Sequence, residues 1–518
     1  MKEQLLLLAS LFYSHLSLSL VALLIGTLIS VPLGIWVSHK KKWQGLVLGF
    51  SGVIQTIPGL ALLAIMVPLL GTLSDWSEAN FNYKFASIGT LPALLALILY
   101  SLLPILRNTV TGIVGVDEDL IEAANAVGMT PRQRLLKVEI IMAMPVLFAG
   151  LRTATIWVIG LATLATPVGA PSLGNIIFSG LQTKNYPIVF AGCLAAALLA
   201  IFFDGLMGQL EKAWQNKKWK VIKGILLFFI ILYSFIFYKG AKDTFFEDEN
   251  KVVIGTKAFT EQYILGDILK MTIEDKTPYN VDVRKSLGSN LLFDALRNNQ
   301  IDVYVTYSGT LWSSIMKKKG PPPSPKELLS KVTTYVEKNH NLKVAARLGF
   351  ENKYAFAMTR KKAMRLGIQT IDDLKNFASE LRLGTDYVFL DRLEWKNIRN
   401  LYNFDFQKKI VMDPTLMYES VHNKQVDVIT AYTSDGRVQK YDLLILKDKK
   451  KAIPPYHTMV LLSEKAAKEK PLLLQALKNL NNSINLKTMQ MLNFLVDEKG
   501  KSTKDAAKTF FSILNKRP

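Results

Sequence analysis

Residues 117–145 read DEDLIEAANAVGMTPRQRLLKVEIIMAMP, a polar, charged, helix-forming insertion inside a run of apolar segments. Asp119 to Ala126 predicts a short helix, and Gly128 its stop, since a residue without Cβ reverses the chain at little cost. Thr130 then restarts a helix as N-cap, with Pro131 at the first helical position and Gln133 placed to complete a capping box. Two short helices joined by a tight turn are therefore expected, held between membrane segments. A DNA-binding helix-turn-helix has the same outline, with Arg132, Arg134 and Lys137 on phosphates. Membrane segments on both sides leave no room for a duplex, so nucleic acid is not expected as a partner.

Outward from this stretch, the chain divides by composition. Of its 518 residues half are hydrophobic, and the first 240 carry nearly all the long apolar runs. The net charge is +21, with 17 basic and 10 acidic residues up to Gly240, which leaves +14 beyond it. Charge dispersed in this way reads as a lysine-rich solvated surface rather than a nucleic-acid patch. Cys193 is the only cysteine, so no intrachain disulfide can form.

Residues 4–38 contain no Lys, Arg, Asp or Glu. A span needs about 20 residues, so 4–13 is read as an interfacial or entry helix and about 15–37 as the first span. A cleavable signal peptide is the alternative, but the apolar run is too long for one and continues through Pro32 and Gly34. Further spans are expected at about 46–70, 88–106, 142–165, 188–209 and 221–239, six in all. Basic residues set the orientation. His39-Lys40-Lys41-Lys42, the group Arg107, Arg132, Arg134 and Lys137, and the lysines from Lys212 to Lys223 share the cytoplasmic side, whereas the opposite loops carry only Lys84 and Lys184. Everything after residue 240 is then extracytoplasmic; a membrane-lying anchor at 221–239 would instead leave it in the cytoplasm. Gly26, Gly34, Gly49, Gly52, Gly59, Gly89, Gly150, Gly160 and Gly192 would let helices approach closely. Arg152 and Asp204 are the charges deepest in spans, and a structural ion pair or snorkelling is expected of them.

After the acidic tether AKDTFFEDEN (241–250), the pattern becomes α/β. KVVIGTKAF predicts a strand and TEQYILGDILKMTIED an amphipathic helix capped by Thr260. KKKGPPPSPKE (317–327) is a loop ended by Pro325. LLFDALRNNQIDVYVTYSGT (291–310) is echoed by LMYESVHNKQVDVITAYTSDG (416–436): a helix, then Gln-Ile-Asp-Val or Gln-Val-Asp-Val on a strand, then a tyrosine. Tyr307 and Tyr432 would sit just past parallel strands, where α/β folds place ligand contacts. Two such units imply two lobes facing a cleft. No phosphate-binding G-x-x-x-x-G-K-[ST] loop is present, although Gly500-Lys501-Ser502 has its end. No catalytic or metal-ligand constellation stands out, so the chain is not expected to be an enzyme.

Two resemblances carry the functional reading. Glu122, Ala123, Ala124 and Gly128 match the cytoplasmic loop of type I ABC importer permeases, with Ile140 and Ile141 where Leu-Pro is usual. That resemblance implies docking on an ATP-hydrolysing subunit. It also gives residues 1–212 as the permease domain and 213–250 as an extra span and tether. Residues 251–518 resemble the substrate-binding proteins of osmoprotectant and quaternary-amine ABC importers, an α/β bilobed periplasmic-binding-protein-like fold. The matching stretches are GTKAFTEQYILGDIL, YSGT, KYAFAMTRKKAMRLGIQTIDDL, FLDR, MDPTLMYESV, QVDVITAYTSDG and IPPYHTMVLL. Lobe 1 would cover about 251–354 and 456–518, and lobe 2 about 355–455.

This second resemblance implies an aromatic cage for a trimethylammonium group from Tyr307, Tyr354, Tyr432 and Tyr456. Thr310 and Arg392 would bind a carboxylate, with Lys257 and Gln262 as further ligand contacts. Val305-Thr306 stand where that family often has Pro-Glu. The implied protein is a fused permease and binding subunit of an ABC importer in a bacterial inner membrane. It would work as a homodimer with two copies of a separate ATPase. ATP would reside on that partner, this chain would hold no cofactor, and the ligand would be small and zwitterionic. The fused architecture resembles the ergothioneine importers, with glycine betaine, carnitine and choline as the other cargoes implied. A ligand-gated receptor with a bilobed domain is the alternative class.

Overall fold

The computed structural model describes residues 2–83, 85–183, 185–245, 250–318 and 322–515. Lys84 and Lys184, part of the tether (246–249) and part of the 317–327 loop (319–321) lie outside the described residues. The chain forms two compact units, one being Met1–Gly180, Tyr186–Glu249 and Ser286–Gly288, and the other Leu181–Asn185, Asn250–Lys285 and Ser289–Pro518.

The first unit is helical. Among the described residues five helices are long and apolar enough to cross a membrane: Leu8–Ser38, Gly59–Phe81, Thr90–Val114, Tyr186–Gln215 and Trp219–Lys242. The remaining expected span, 142–165, forms helix Ile140–Ala162, packed between Thr90–Val114 and Tyr186–Gln215. Three local expectations change. Residues 4–13 are not a separate element, because one helix runs from Lys2 to Ser38 through Pro32. The span expected at 46–70 breaks into Lys41–Thr56 and Gly59–Phe81. Pro58 forces the residue before it out of the helical region, and Ile57 sits at ψ 125°. The short apolar segment at 221–239 belongs to a longer helix, Trp219–Phe245.

The 117–145 stretch folds close to its reading. Glu118–Ala126 is a helix capped by Asp117, and Gly128 takes φ +76°. Thr130, Pro131 and Gln133 form the capping box. The second helix is not short: Pro131–Arg134 passes through a π-helical turn, Leu135–Glu139, straight into Ile140–Ala162.

Small residues do set helix approach, though not at every expected position. A Cβ on Gly34 would lie 2.7 Å from the Thr109 side chain, and one on Gly150 would lie 2.8 Å from the Pro104 carbonyl. Gly49, Gly52 and Gly160 have open space around them among the described residues. Arg152 is paired as expected, donating to both oxygens of Asp204 (3.0 and 3.1 Å) and to Glu211 (3.2 Å).

The second unit contains two five-stranded sheets. Strands β1 (Lys251–Lys257), β2 (Asn280–Leu287), β3 (Val303–Tyr307), β4 (Lys343–Glu351) and β10 (His457–Leu462) make the first, in the order β2-β1-β3-β10-β4. Strands β5 (Tyr354–Thr359), β6 (Arg382–Thr385), β7 (Lys408–Val411), β8 (Val428–Tyr432) and β9 (Leu443–Ile445) make the second, in the order β7-β6-β8-β5-β9. The sequence echo is structural. β3 pairs parallel with β1 and antiparallel with β10, while β8 pairs parallel with β6 and antiparallel with β5. Alternating aliphatic residues such as Val252, Ile254, Val303, Val305 and Val460 bury the first sheet, and Phe356, Met358, Leu383 and Val428 the second. One capping expectation fails. Thr260 is the first residue of helix Thr260–Lys276 rather than its cap, and its hydroxyl donates to Asp497 at 2.6 Å.

Overpacking costs about 1–3 kcal/mol where backbone cannot yield. Gly150→Leu is therefore expected to lower the unfolding temperature of the detergent-solubilised chain, read by size-exclusion chromatography after heating. Gly160→Ala should leave it unchanged.

Candidate ligand-binding site

The sheets bring four tyrosines to strand ends. β3 ends at Tyr307, β8 ends at Tyr432 opposite Tyr354 at the start of β5, and Tyr456 immediately precedes β10. Tyr307, Tyr354 and Tyr456 are buried and Tyr432 is half-buried, and all four belong to one apolar cluster with Phe259 and Phe389. The Tyr354 and Tyr432 ring centroids are 4.9 Å apart at 42°, and those of Tyr354 and Phe389 are 5.1 Å apart.

Each of these phenols donates its hydroxyl to a carboxylate. Tyr307 donates to Glu261 and Tyr456 to Glu394. Tyr354 and Tyr432 both donate to Asp386, at 2.9 and 2.8 Å. Asp386 also accepts from the backbone N–H of Val388 (2.9 Å) and Phe389 (2.8 Å) at the start of a tight helical turn. Glu261 further accepts from Asn352 (3.0 Å) and Asn493 (3.3 Å). Burial, then nearby charge, pushes all four phenols upward from their ordinary value, so they remain protonated donors. Burial also raises Glu261, outweighing its hydrogen bonds from Ser434, Tyr307, Asn352 and Asn493.

Of the other expected ligand contacts, three join this cluster. Gln262 donates to the Tyr307 hydroxyl at 3.0 Å. Lys257 Nζ lies 5.1 Å from the Tyr307 ring centroid, and Arg392 Cζ lies 5.4 Å from that of Tyr354. Arg392 donates to the Tyr456 hydroxyl at 2.9 Å, but it is not a free fork. Its Nε and Nη2 grip Glu394 at 3.1 and 2.9 Å, and Glu394 is fully buried. Thr310 stands apart: it is half-buried in the turn Ser308–Thr310, with no hydrogen bond to its side chain among the described residues. Its neighbour Gly309 packs directly on the site, since a Cβ there would fall 2.7 Å from Cζ of Tyr456.

Sequence reasoning missed the three acids. Glu261 stands in the quoted TEQ, Glu394 lies two residues after Arg392, and Asp386 lies three before Phe389. The available signal was a carboxylate in an otherwise apolar stretch beside a proposed ligand contact. The arrangement suits a cation without N–H groups. Phenol hydroxyls tied to carboxylates fix the rings, and an aromatic face attracts a positive charge by about 0.5–2 kcal/mol; the Arg392 guanidinium over Tyr354 and the Lys257 ammonium over Tyr307 stand in that relation. Three carboxyl groups, Glu261, Asp386 and Glu394, and two bases, Lys257 and Arg392, stand around the same rings, with Arg392 paired to Glu394.

The loop residues expected to couple to an ATPase lie on the first unit. Glu122, Ala123 and Gly128 are exposed and Ala124 is buried. Leu120, Val127 and Leu136 are exposed around them, an apolar patch on an otherwise charged loop.

Comparison with known proteins agrees with both units. Residues 250–512 match the family model described as the substrate binding domain of ABC-type glycine betaine transport system. Residues 26–216 match that of the binding-protein-dependent transport system inner membrane component. The chain is 29% identical over 500 residues to the ergothioneine transport permease/ergothioneine binding protein EgtU of Helicobacter pylori, covering 93% of this chain and 86% of that protein. It is 41% identical over 200 residues to the choline transport system permease protein OpuBB of Bacillus subtilis, covering 39% of this chain and 85% of that protein. A solved glycine betaine/carnitine/choline ABC transporter structure aligns with 51% of this chain and 98% of its own, at 28% identity and a TM-score of 0.47.

Burial lowers the Lys257 ammonium from its ordinary 10.5 to about 7, helped by Arg392 and opposed by Glu261. Between these values the unfolded chain binds more protons than the folded one, so stability rises with pH across this window and the burial cost is full below it. The slope from one such group is at most about 1.4 kcal/mol per pH unit. Lys257→Met is expected to flatten the pH dependence of chemical unfolding from about 7 to 10.5, relative to the unsubstituted chain. An unchanged slope would mean that Lys257 is solvated.

Proposed function

We infer the function from one premise: this chain belongs to the family of substrate-binding domains of ABC-type glycine betaine transport systems, carried behind an inner-membrane component of binding-protein-dependent transport systems. It is the permease and substrate-binding subunit of an importer for a betaine-type quaternary ammonium compound. The observation that carries this reading is the set of four tyrosines, each anchored through its hydroxyl to a carboxylate. The trimethylammonium end lies against their faces. The ligand carboxylate meets Arg392, whose Nη1 makes no hydrogen bond among the described residues, together with Lys257 and Thr310. Ergothioneine is the favoured cargo, supported by the fused architecture and the similarity to EgtU along nearly the whole chain. Glycine betaine, carnitine and choline come next.

The protein lies in the bacterial inner membrane, with its binding domain on the extracytoplasmic side, a sidedness supported by the lysine-rich loops. One chain supplies one half of the pathway, and two copies pair over two ATPase subunits. ATP and its hydrolysis belong to those subunits, and this chain holds no cofactor. Glu122, Ala123, Ala124 and Gly128, with the exposed Leu120, Val127 and Leu136, dock on the ATPase. Ligand closes the two lobes, the closed domain delivers it to the permease, and ATP binding below switches access.

Two experiments test this reading. In equilibrium binding with the purified full chain, Tyr354→Ala or Tyr432→Ala should weaken each trimethylammonium ligand about 2- to 30-fold, the equivalent of one lost aromatic face. Phenylalanine at the same positions should be milder. Arg392→Ala should weaken carboxylate-bearing betaines far more than choline; equal losses would make Arg392 a structural tie through Glu394. For sidedness, a cysteine at Asn250 in a Cys193→Ser background should react with an impermeant thiol reagent added to intact cells. One at Asn216 should not, and the reverse pattern would place the binding domain inside.

A further inference from the structure

One buried carboxylate in the first unit is used neither by the ligand site nor by the Glu-Ala-Ala match. Glu139 closes the π-helical turn Leu135–Glu139, and its side chain is 3% exposed. One of its oxygens accepts from Arg134 Nε at 2.7 Å, and the other lies 3.0 Å from His39 Nε2. His39 follows directly on helix Lys2–Ser38, and its Nδ1 sits 2.9 Å from the Ile35 carbonyl, which fixes the ring to that helix end. Arg134 passes Nη1 on to Asn125 Oδ1 at 3.0 Å, on the helix that carries Glu122, Ala123 and Ala124. One carboxylate therefore joins the end of the first helix to both helices of the loop and to the start of Ile140–Ala162.

The sequence arranges this in a specific way. A π-turn inserts an extra residue into the helical repeat and re-aims the side chains around it. Here it turns Glu139 inward, while Lys137 and Leu136 on the same turn stay exposed. A carboxylate so placed is tolerated when a charged partner and further hydrogen bonds meet it, here the Arg134 guanidinium and the His39 ring nitrogen. The partners come from different segments, so the cluster resists any displacement that separates the loop from the first helix.

We propose that Glu139 is a positioning residue which, through His39 and Arg134, transmits displacement of the docking loop to the end of the first helix. This rests on the reading that the loop docks an ATPase. The full-length chain, reconstituted with that ATPase in liposomes, provides the test. Glu139→Gln keeps the shape and loses the charge. It should leave ATPase binding and basal ATP hydrolysis intact, while ligand imported per ATP falls at least about fivefold. His39→Ala removes a side chain that is 41% exposed, so it severs only the arm to the first helix without opening the core. It should give the same loss, and His39→Gln, which keeps a donor, should recover much of it. Spin labels at Lys41 and Ala126 in the Cys193→Ser background should keep one separation with and without ATP, and should change separation on ATP addition once His39→Ala is introduced.

Normal import per ATP in both Glu139→Gln and His39→Ala, or label separations that respond to ATP identically with and without His39→Ala, would overturn the proposal. Gly128→Arg separates this from the docking reading. An ATPase that still binds and is still stimulated by ligand in that variant overturns docking, whereas normal coupling in both Glu139→Gln and His39→Ala overturns the role of Glu139 alone.

Discussion

The binding unit depends on a phenol hydroxyl donated to a buried carboxylate, made four times with three acids. A carboxylate taken out of water must be met by donors or it becomes costly. Each of Glu261, Asp386 and Glu394 is met by at least one tyrosine; Asp386 is also met by two backbone N–H groups at a helical turn, Glu261 by Asn352 and Asn493, and Glu394 by the Arg392 guanidinium. The same bonds fix where the rings point. A ring held by its hydroxyl is fixed in orientation, and the four rings so held belong to one cluster, with Lys257 over Tyr307 and Arg392 over Tyr354. The carboxylates therefore position the aromatic residues.

The two sheets explain why the tyrosines meet. β3 and β8 are equivalent strands of repeated helix–strand units, and each ends in a tyrosine. β5 runs antiparallel beside β8, which sets Tyr354 opposite Tyr432, while β10 runs antiparallel beside β3 and places Tyr456 next to the turn after Tyr307. Gly309 in that turn allows the Tyr456 ring to press against the backbone. In the membrane unit the comparable constraint is charge. Arg152 with Asp204 and Glu211 ties two helices, and Glu139 with Arg134 and His39 ties the loop to the first helix.

Much of this was legible in the sequence where the signal was local. The capping box at Thr130 and the left-handed Gly128 each depend on a few adjacent residues, and each formed; the repeated Gln-Ile-Asp-Val and Gln-Val-Asp-Val, expected on strands, instead lead into strands that begin only at Val303 and Val428. What was not legible depended on tertiary pairing. Nothing local shows that Arg392 turns its fork onto Glu394, since that choice is made by the Tyr456 hydroxyl and the burial of both groups. The continuity of helix Lys2–Ser38 and the π-turn before Ile140 are likewise set by packing, not by composition. Pro58 was a readable break that apolar periodicity obscured, because hydropathy is continuous across it while the backbone is not.

The central claim is that this cluster recognises positive charge rather than shape. The direct measurement is calorimetric titration of the full-length chain with choline and with its neutral isostere, 3,3-dimethylbutan-1-ol, in which a carbon replaces the quaternary nitrogen. Recognition by aromatic faces and carboxylates predicts that the isostere binds at least about tenfold more weakly, the equivalent of about 1.4 kcal/mol. Equal binding of the two would contradict it, and would mean that the tyrosines form an apolar pocket indifferent to charge.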